Sequence, residues 1–247
     1  MSFDEPALSG GALTVGFVAA LAIECTSLRR HLPRAATWLV AQSGPGSARA
    51  AEAAKRAADA GASLLVSWGL AGGLGPAVAP GTVVLPRRIV APGAEALPVD
   101  AAWHERLTAL AADVALECGD LLTVPAALES PAAKRAAAAA ASAVAVDMES
   151  AGIAAAAARA RVPFVALRVV IDGCDDSLPA GAEGFLDEGG NRRIAGAVRA
   201  SLDPRQWRAL LTLGKRYRVA SGVLDRLARA LAAPALLGGG VVLQAGS

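Results

Sequence analysis

The chain has 247 residues, of which 54% are hydrophobic and 19% charged, enough for one large α/β domain or two small ones. Its formal net charge of +2 is too small to indicate a nucleic-acid partner. Its three cysteines, Cys25, Cys118 and Cys174, are scattered and form no CxxC pair. We therefore expect no nucleic-acid binding, no disulfide framework, no metal and no cofactor.

The N-terminal stretch does not have the pattern of a targeting segment. MSFDEPALSGGALTVGFVAAL carries two acids before its apolar run and has no basic region. No uninterrupted apolar stretch reaches the roughly 18 residues that a membrane span needs. The sequence therefore predicts a cytoplasmic protein with reduced thiols.

Apolar runs alternate with alanine-rich segments along the chain. The runs predict buried strands at 13–20, 37–43, 63–69, 119–125, 143–148 and 163–172, with an extended ribbon at 81–93. The alanine-rich segments predict helices at 23–32, 44–61, 100–114, 131–141 and 149–161, the second after a turn. This alternation predicts a mainly parallel sheet covered by helices on both faces, with no domain boundary before residue 203.

Unusual residues collect where the predicted strands end. In such sheets ligands bind beyond the carboxyl ends of the strands. Glu24, the turn at 69–73, the acids at 147–149 and Asp172 all follow a predicted strand. Their coincidence predicts an active site at these strand ends.

The stretch VDMES (146–150) is the most specific motif. A carboxylate has two oxygens that suit a vicinal diol, so Glu149 can accept the hydroxyl protons of a ribose. Met148 would offer a soft apolar surface beneath the sugar. The alternative is purely structural, with Asp147 as a helix N-cap and Glu149 as a first-turn acid favoured by the helix dipole.

The other strand-end residues each have two interpretations. Asp172 can donate a proton to a leaving group, or it can close an Asx turn. Glu24 can serve as a base, or it can be a solvated first-turn acid, while Asp175 and Asp176 are predicted to be surface charges of the loop. The glycines of SWGLAGGLG (67–75) let a flat ligand approach the backbone, or form an ordinary tight turn.

A second glycine-rich turn, SGPGSA (43–48), opens a predicted helix. The free N–H groups at a helix start can hold an anion or a hydroxyl. This turn therefore gives a candidate anion-binding set, although a simple turn explains the pattern equally well. The set consists of Gly44, Gly46, Ser47 and Arg49.

Four motifs in this order carry a family resemblance: VGFVAALAIE, GPGSARAA, SWGLAGGL, and VDMESAGIA followed by LRVVID. Over about residues 13–202 the chain resembles the nucleoside phosphorylase and nucleosidase superfamily, in its branch of methylthioadenosine/adenosylhomocysteine nucleosidases. The DSLP loop and the C-terminal extension are most similar to the hopanoid-associated phosphorylases. The resemblance implies a single-domain three-layer α/β/α sandwich with a mixed, mainly parallel sheet at 13–202, and a helical extension at 203–240.

The resemblance also implies a role for the selected residues. Asp172 would protonate the purine, Glu24 would activate water, and Glu149 would hold the ribose hydroxyls. Asp147 falls where the family has an acid that points away from the ligand. The other substrate-binding positions that the resemblance implies are Leu70, Ala71, Gly72 and Met148.

The implied activity is cleavage of the N-glycosidic bond of an adenosine-type nucleoside, with adenine released from a lipid-linked substrate, adenosylhopane, in hopanoid biosynthesis. Two alternatives stay open: phosphorolysis, for which Arg49 could bind the anion, and a non-catalytic adenosyl-ligand binding protein. We expect a homodimer. Two residues depart from the family pattern, because Ile171 stands where a serine is usual and Leu70 where a small hydroxyl residue is common.

The extension shows a helical repeat. Val219, Val223, Leu227 and Leu231 recur every four residues, with Leu224 nearby. Trp207 and Tyr217 could lie at an interface, among basic residues at 215, 216, 218, 226 and 229. A basic amphipathic helix over 205–231 could lie on an anionic membrane, or its apolar face could pack on the core or on a second subunit.

Overall fold

The computed structural model describes residues 13–32, 38–178, 189–191 and 204–232, without the side chains of 204–210. Its helices are α1 Ala22–His31, α2 Ser47–Asp59, α3 Ala101–Leu110, α4 Pro131–Ala141, α5 Ser150–Ala160 and α6 Pro204–Leu231. Its strands are β1 Val15–Ala19, β2 Trp38–Gln42, β3 Leu64–Gly73, β4 Val83–Val84, β5 Arg88–Val90, β6 Leu97–Pro98, β7 Leu116–Glu117, β8 Leu121–Thr123, β9 Ala145–Asp147 and β10 Phe164–Asp172.

The strands of the described residues form one mixed sheet in the order β6-β5-β8-β9-β3-β10-β4-β7, with β1 beside β3 and β2 beside β1. Six of the strand pairs are parallel and three are antiparallel. Helices cover the sheet, so the mixed, mainly parallel α/β fold expected from the sequence is confirmed.

The centre of the sheet is the long strand β3. One of its edges pairs with β10, and the other pairs with β1 over Leu64–Ser67 and with β9 at Gly72 and Gly73. Because β9 is antiparallel to β3, the carboxyl ends of β9 and β10 reach the end of β3 from opposite directions. Gly72 pairs with Val146 on one side and with Asp172 on the other.

This arrangement differs from the one expected for parallel strands. Their carboxyl ends would meet along a single sheet edge. Here the carboxyl ends of β9 and β10 converge on the last residues of β3. The acids at 147–149 therefore lie near Asp172, although the apolar pattern of the strands does not predict the antiparallel direction of β9.

The two faces of the sheet are packed by different residues. One face buries large side chains, including Phe17, Trp68 and Leu167, against α1, α3 and α6. The other face packs on α2 and α5, which bury mainly alanines. These helices touch so closely that a Cβ at Gly152 of α5 would lie 2.0 Å from the Ser47 carbonyl oxygen. Alanine-rich helices therefore allow this layer to be thin.

The helical extension is part of the same core. Val223, Leu224, Leu227 and Leu231 of α6 are buried against the sheet, α1 and α3, whereas Val219 stays half exposed. The predicted apolar stripe is thus used in packing. Four basic residues on the outer face stay exposed: Lys215, Arg218, Arg226 and Arg229. The side chain of Trp207, Pro179 of the DSLP loop and residues 233–240 lie outside the described part of the chain.

Among the described residues, no helix combines the length and the hydrophobicity required to cross a bilayer.

Candidate active site

A cavity of about 230 Å³ lies at the end of β3. Its walls come from the loops after β1 and β9, from the ends of β3 and β10, and from α1, α4 and α6. All catalytic and substrate-binding candidates from the sequence line it, namely Glu24, Leu70, Ala71, Gly72, Met148, Glu149 and Asp172. The strand-end residues chosen from the sequence therefore meet at one cavity, which the strands approach from two directions.

Glu24 is held by backbone N–H groups on both of its oxygens. It lies in the first turn of α1, where Oε2 accepts the Leu21 N–H at 2.8 Å. Its Oε1 accepts the Leu70 N–H at 2.8 Å, and the side chain is 2% exposed. Burial raises the pKa of Glu24, while the charge of Arg168 and these hydrogen bonds oppose the rise. Such a carboxyl binds a proton more readily than an exposed glutamate does.

Gly69 is required by this contact between α1 and β3. A Cβ at this position would lie 2.6 Å from Oε1 of Glu24 and 2.6 Å from Nη1 of Arg168. Any other residue would push both charged side chains aside. Gly69 thus leaves room for the protein's own charged groups, whereas Gly72 lines the cavity. Residues 69–73, predicted to be a turn, are the last part of β3.

Arg168 lies among three acidic side chains whose residues line the cavity. Its Nη2 lies 2.8 Å from Oδ2 of Asp147 and 3.7 Å from Oε2 of Glu149, and the side chain is 1% exposed. Burial lowers the pKa of Arg168, but Asp147, Glu149 and Glu24 together raise it above its ordinary value. The guanidinium therefore stays charged. We call Arg168, Asp147, Glu149 and Glu24 the arginine cluster.

Asp147 serves the structure around Arg168. Besides the guanidinium, it accepts a hydrogen bond from the Thr123 hydroxyl at 2.7 Å and from the Ser150 N–H. Ser150 is the first residue of α5, so this hydrogen bond ties Asp147 to the start of that helix. These contacts join Asp147 to β8, to β10 and to the start of α5, although the residue also lines the cavity.

Glu149 points between the glycine-rich turn and Arg168. Its Oε1 accepts the Gly46 N–H at 3.0 Å, and the residue is 6% exposed. Burial raises the pKa of Glu149 to about 7; Arg168 opposes this rise, and Asp147 adds to it. Met148 and Glu149 both line the cavity.

Asp172 lies on the opposite side of Gly72 and has a different partner. Lys134 of α4 forms a buried ion pair with its Oδ2, and the two side chains are 1% and 3% exposed. Burial raises the pKa of Asp172, and the hydrogen bond and charge of Lys134 oppose the rise. We call Lys134 and Asp172 the lysine pair.

The candidate anion-binding turn is occupied by protein contacts. The Gly46 N–H is bonded to Glu149, and Arg49 donates to the Pro45 carbonyl oxygen at 3.2 Å from an exposed position. Of this turn, only Pro45 lines the cavity. The structure thus brings none of the four candidate residues, Gly44, Gly46, Ser47 and Arg49, to the cavity wall.

Several residues at the site had been given no functional role from the sequence, among them Arg168, Lys134, Leu213 and Asp176. Arg168 had a detectable signal, because a charged residue interrupts the apolar run of β10. Lys134 and Leu213 had none, since each lies in a helix of ordinary composition. Asp176 was predicted to be a surface charge, but it accepts the Gly173 N–H at 2.8 Å and pairs with Arg216.

No group of histidine, cysteine or acidic side chains in the described ranges is arranged to hold a metal ion. In the described part of the chain, the titratable groups that line the cavity are four carboxyl groups and one lysine: Glu24, Asp147, Glu149, Asp172 and Lys134. Asp172 can supply a proton on one side of the cavity, and Glu24 can accept one on another. The negative charge of Glu149 lies between the glycine-rich turn and Arg168, where it can bind hydroxyl groups.

The architecture matches that of solved nucleosidases and hydrolases. The 5′-methylthioadenosine/S-adenosylhomocysteine nucleosidase of Neisseria meningitidis superposes with a TM-score of 0.69 at 19% identity, over 89% of this chain and 98% of that one. The S-adenosylhomocysteine nucleosidase of Streptococcus pyogenes gives 0.65 at 17%, over 90% and 98%. The futalosine hydrolase of Helicobacter pylori gives 0.64 at 14%, over 87% and 97%.

Among curated proteins, none shows significant sequence similarity to this chain. The solved structures, at these identities, show the fold alone. The sequence model of the phosphorylase superfamily, in contrast, matches residues 34–203, which is more than half of the chain and includes most of the cavity. The chain therefore belongs to the phosphorylase superfamily.

Proposed function

We propose that the protein is a nucleosidase, which hydrolyses the N-glycosidic bond of an adenosine-type nucleoside and releases adenine. The observation that carries this proposal is the meeting of three buried carboxyl groups, Glu24, Glu149 and Asp172, at one small cavity. The similar structures include nucleosidases bound to methylthio-immucillin-A and to 5-methylthiotubericidin, which supports a nucleoside as the ligand.

The proposed reaction assigns one task to each carboxyl group. Cleavage leaves positive charge on the sugar and negative charge on the departing base. Asp172 protonates the base, and Glu24 accepts a proton from the attacking water. Glu149 binds the ribose hydroxyls and stabilises the cationic sugar. The logic is that of an inverting glycosidase with a nitrogen leaving group.

Water is the proposed nucleophile rather than phosphate. The cavity wall carries Glu24, Asp147 and Glu149, whose negative charges repel an anion, and Arg168 is already bonded to protein groups. The exposed Arg49 donates to a backbone carbonyl. These contacts favour hydrolysis over the phosphorolysis that the family name suggests.

The proposed substrate has an apolar 5′ substituent, as in adenosylhopane. Apolar side chains supply much of the remaining cavity wall, and they are contributed by five segments of the chain: Leu21, Leu70, Leu128, Ile171, Leu178 and Leu213. Ile171 and Leu70 replace the hydroxyl residues of the family pattern, which makes this wall more apolar. The cavity of about 230 Å³ is below the roughly 300–1,000 Å³ of drug-sized sites, so a hopane skeleton would extend beyond it.

One assay tests these proposals together. The protein is incubated with adenosylhopane or with methylthioadenosine, with and without phosphate, and adenine and the sugar product are measured. We expect adenine from both substrates and a free sugar in both buffers. A sugar 1-phosphate formed in phosphate buffer would establish phosphorolysis instead. Ligand binding without any adenine release would identify a binding protein.

Contact with an anionic membrane is proposed through the outer face of α6. Its exposed basic residues, Lys215, Arg218, Arg226 and Arg229, remain available although the apolar stripe is buried. Near an anionic surface each contributes about 1 kcal/mol. Replacing Lys215, Arg218 and Arg226 by glutamate should abolish binding to phosphatidylserine vesicles at low salt. The matched control, glutamate at the exposed Arg159 and Arg161, should bind normally, and equal binding by all proteins would refute the contact.

A further inference from the structure

A buried lysine touches the acid that the proposed reaction needs. Lys134 is 1% exposed, and its Nζ forms an ion pair with Oδ2 of Asp172. It comes from α4, a helix that supplies no other charged residue to the cavity. The contact therefore needs an explanation either in stability or in the chemistry of Asp172.

Stability alone is a poor explanation for a lysine at this position. Ser130 caps α4 and Pro131 is its first residue, so Lys134 is the fourth residue of the helix. A cation there lies near the positive end of the helix dipole, and burial removes its hydration. Buried ion pairs often contribute little net stability, because desolvation offsets the attraction. In an alanine-rich helix, alanine would avoid both costs.

The geometry of the ammonium group indicates that it acts through Asp172. Besides Oδ2 of Asp172, its Nζ donates to the carbonyl oxygens of Gly173 at 2.7 Å and Asp176 at 3.0 Å. An ammonium has three protons, so all are used by the protein. The contact also occupies Oδ2, which leaves Oδ1 of Asp172 for the ligand.

The loop that completes this arrangement is itself fixed. The Gly173 N–H donates to Oδ2 of Asp176, the Asp176 N–H donates to the Gly173 carbonyl at 3.1 Å, and Arg216 of α6 pairs with the Asp176 carboxylate. The two carbonyl oxygens that bind Lys134 thus have defined positions. The ammonium is held from three sides and in turn holds Asp172.

We propose that Lys134 is a positioning residue that fixes Oδ2 of Asp172, so that the acid donates its proton from Oδ1 and the ammonium stabilises the carboxylate that remains. This inference rests on the proposed nucleosidase function. In the step concerned, the bond between sugar and base breaks and its electron pair stays on the base. The proton of Asp172 moves to the base, water supplies hydroxide to the sugar, and the second proton of the water goes to Glu24. Lys134 keeps its protons throughout.

The test compares two substrates whose leaving groups differ in their need for a proton. Methylthioadenosine needs an acid, whereas 4-nitrophenyl β-riboside loses a stable phenolate without one. In Lys134→Met, kcat for methylthioadenosine should fall by about 10- to 100-fold, the size expected for a lost charge-assisted hydrogen bond. The value for the aryl riboside should change by less than about 3-fold.

The matched control is the neighbouring residue. Arg135 is 63% exposed and pairs with Asp175 at 3.4 Å, so Arg135→Met also removes an ion pair between α4 and the loop but leaves Asp172 untouched. It should behave as the wild type on both substrates. The ratio of the two kcat values does not depend on the fraction of folded protein, so a partly unfolded Lys134→Met still gives a result. Lys134→Gln, which keeps a donor without the charge, should give an intermediate ratio.

A double-mutant cycle shows whether the lysine acts through the acid. In an Asp172→Asn background, Lys134→Met should cost almost nothing further on methylthioadenosine. The charged groups that face Asp172 are Lys134, Asp176 and Arg216. Removing one cation raises the pKa of the acid, so the alkaline limb of kcat should move to higher pH in Lys134→Met.

Equal losses on both substrates, the same loss in both backgrounds, or an unmoved alkaline limb would each overturn the inference. Its failure can be told from failure of the proposed function. If Asp172→Asn abolishes base release while Lys134→Met does not reduce it, only the role of the lysine is wrong. If the wild type releases neither adenine from methylthioadenosine nor 4-nitrophenolate from the aryl riboside, both proposals fall.

Discussion

The arginine cluster and the lysine pair lie at the same cavity with different charge balances. The arginine cluster has three acids for one cation, and burial raises the pKa of Glu24 and of Glu149. The lysine pair has one acid for one cation. When these groups are ionised, the arginine cluster has a net negative charge and the lysine pair is neutral. This polarity suits a bond that leaves positive charge on a sugar and negative charge on a base.

The largest expected effect comes from removing the acid of the lysine pair. Asp172→Asn keeps the shape of the side chain but cannot protonate a leaving base, so adenine release should fall by about 10²–10⁴-fold. Stopped assays of adenine formation measure it. Asp175→Asn in the same loop, where the side chain is 85% exposed, is the control and should be unaffected. A variant at position 172 with more than about a tenth of the wild-type rate would contradict a general acid there.

Removing the ribose contact of the arginine cluster should have a smaller and substrate-dependent effect. Glu149→Ala removes a charge-assisted hydrogen bond to a ribose hydroxyl, so kcat/KM for a riboside should fall by about 10- to 100-fold. The loss for the 2′-deoxyriboside, which lacks one contact, should be clearly smaller. Equal losses on the two substrates would remove Glu149 from the diol site.

The burial of Glu149 in the arginine cluster also predicts a pH dependence of stability. Burial raises the pKa of Glu149 from 4.5 to about 7, so the folded protein binds more protons than the unfolded chain between these values. The free energy of unfolding should therefore be highest below pH 4.5 as far as this group is concerned, and decrease as pH rises through about 7.

Urea unfolding at pH 5 and pH 8 measures this effect. The wild type should lose stability over this range, and Glu149→Gln should lose less. A residual decrease is expected in the variant, because the pKa of Glu24 is raised as well. Identical changes in the two proteins would show that Glu149 is not the group that titrates.

The smallest expected effect comes from breaking the ion pair of Arg216 with Asp176, in the loop whose carbonyl oxygens bind Lys134. Arg216 and Asp176 are each 23% exposed at the side chain, so their ion pair should contribute at most about 1 kcal/mol to stability. Arg216→Met should reduce kcat for adenine release by only a few-fold, because the loop still closes through the Gly173 N–H. Arg218→Met, which changes an exposed neighbour on α6, is the matched control. A loss as large as that of Lys134→Met would make Arg216 part of the positioning network itself.

The sequence predicted the positions of the carboxylates better than their partners. Strand and helix patterns gave the order of elements, and α4 spans 131–141 as predicted. Glu24, Glu149 and Asp172 were found because an acid at a strand end is unusual. Lys134 was not found, because its contact with Asp172 joins residues 38 positions apart and leaves no local pattern.

The direction of β9 was also beyond the sequence pattern. An apolar run shows that a strand is buried, but it does not show which way the strand runs in the sheet. Because β9 is antiparallel to β3, Glu149 reaches the cavity from the side opposite to Asp172. For α6, the repeat of apolar residues gave the helix correctly, yet only the packed structure shows that the stripe faces the core.

The position of α6 has a consequence for how the site is made during synthesis. Leu213 completes the cavity wall and Arg216 secures the loop after β10, while Asp225 pairs with Arg30, 195 residues earlier. A ribosome releases the sheet and α1–α5 before it has made these residues. Because the buried side chains of α6 also belong to the core on one face of the sheet, neither that core nor the cavity is complete until α6 has left the ribosome.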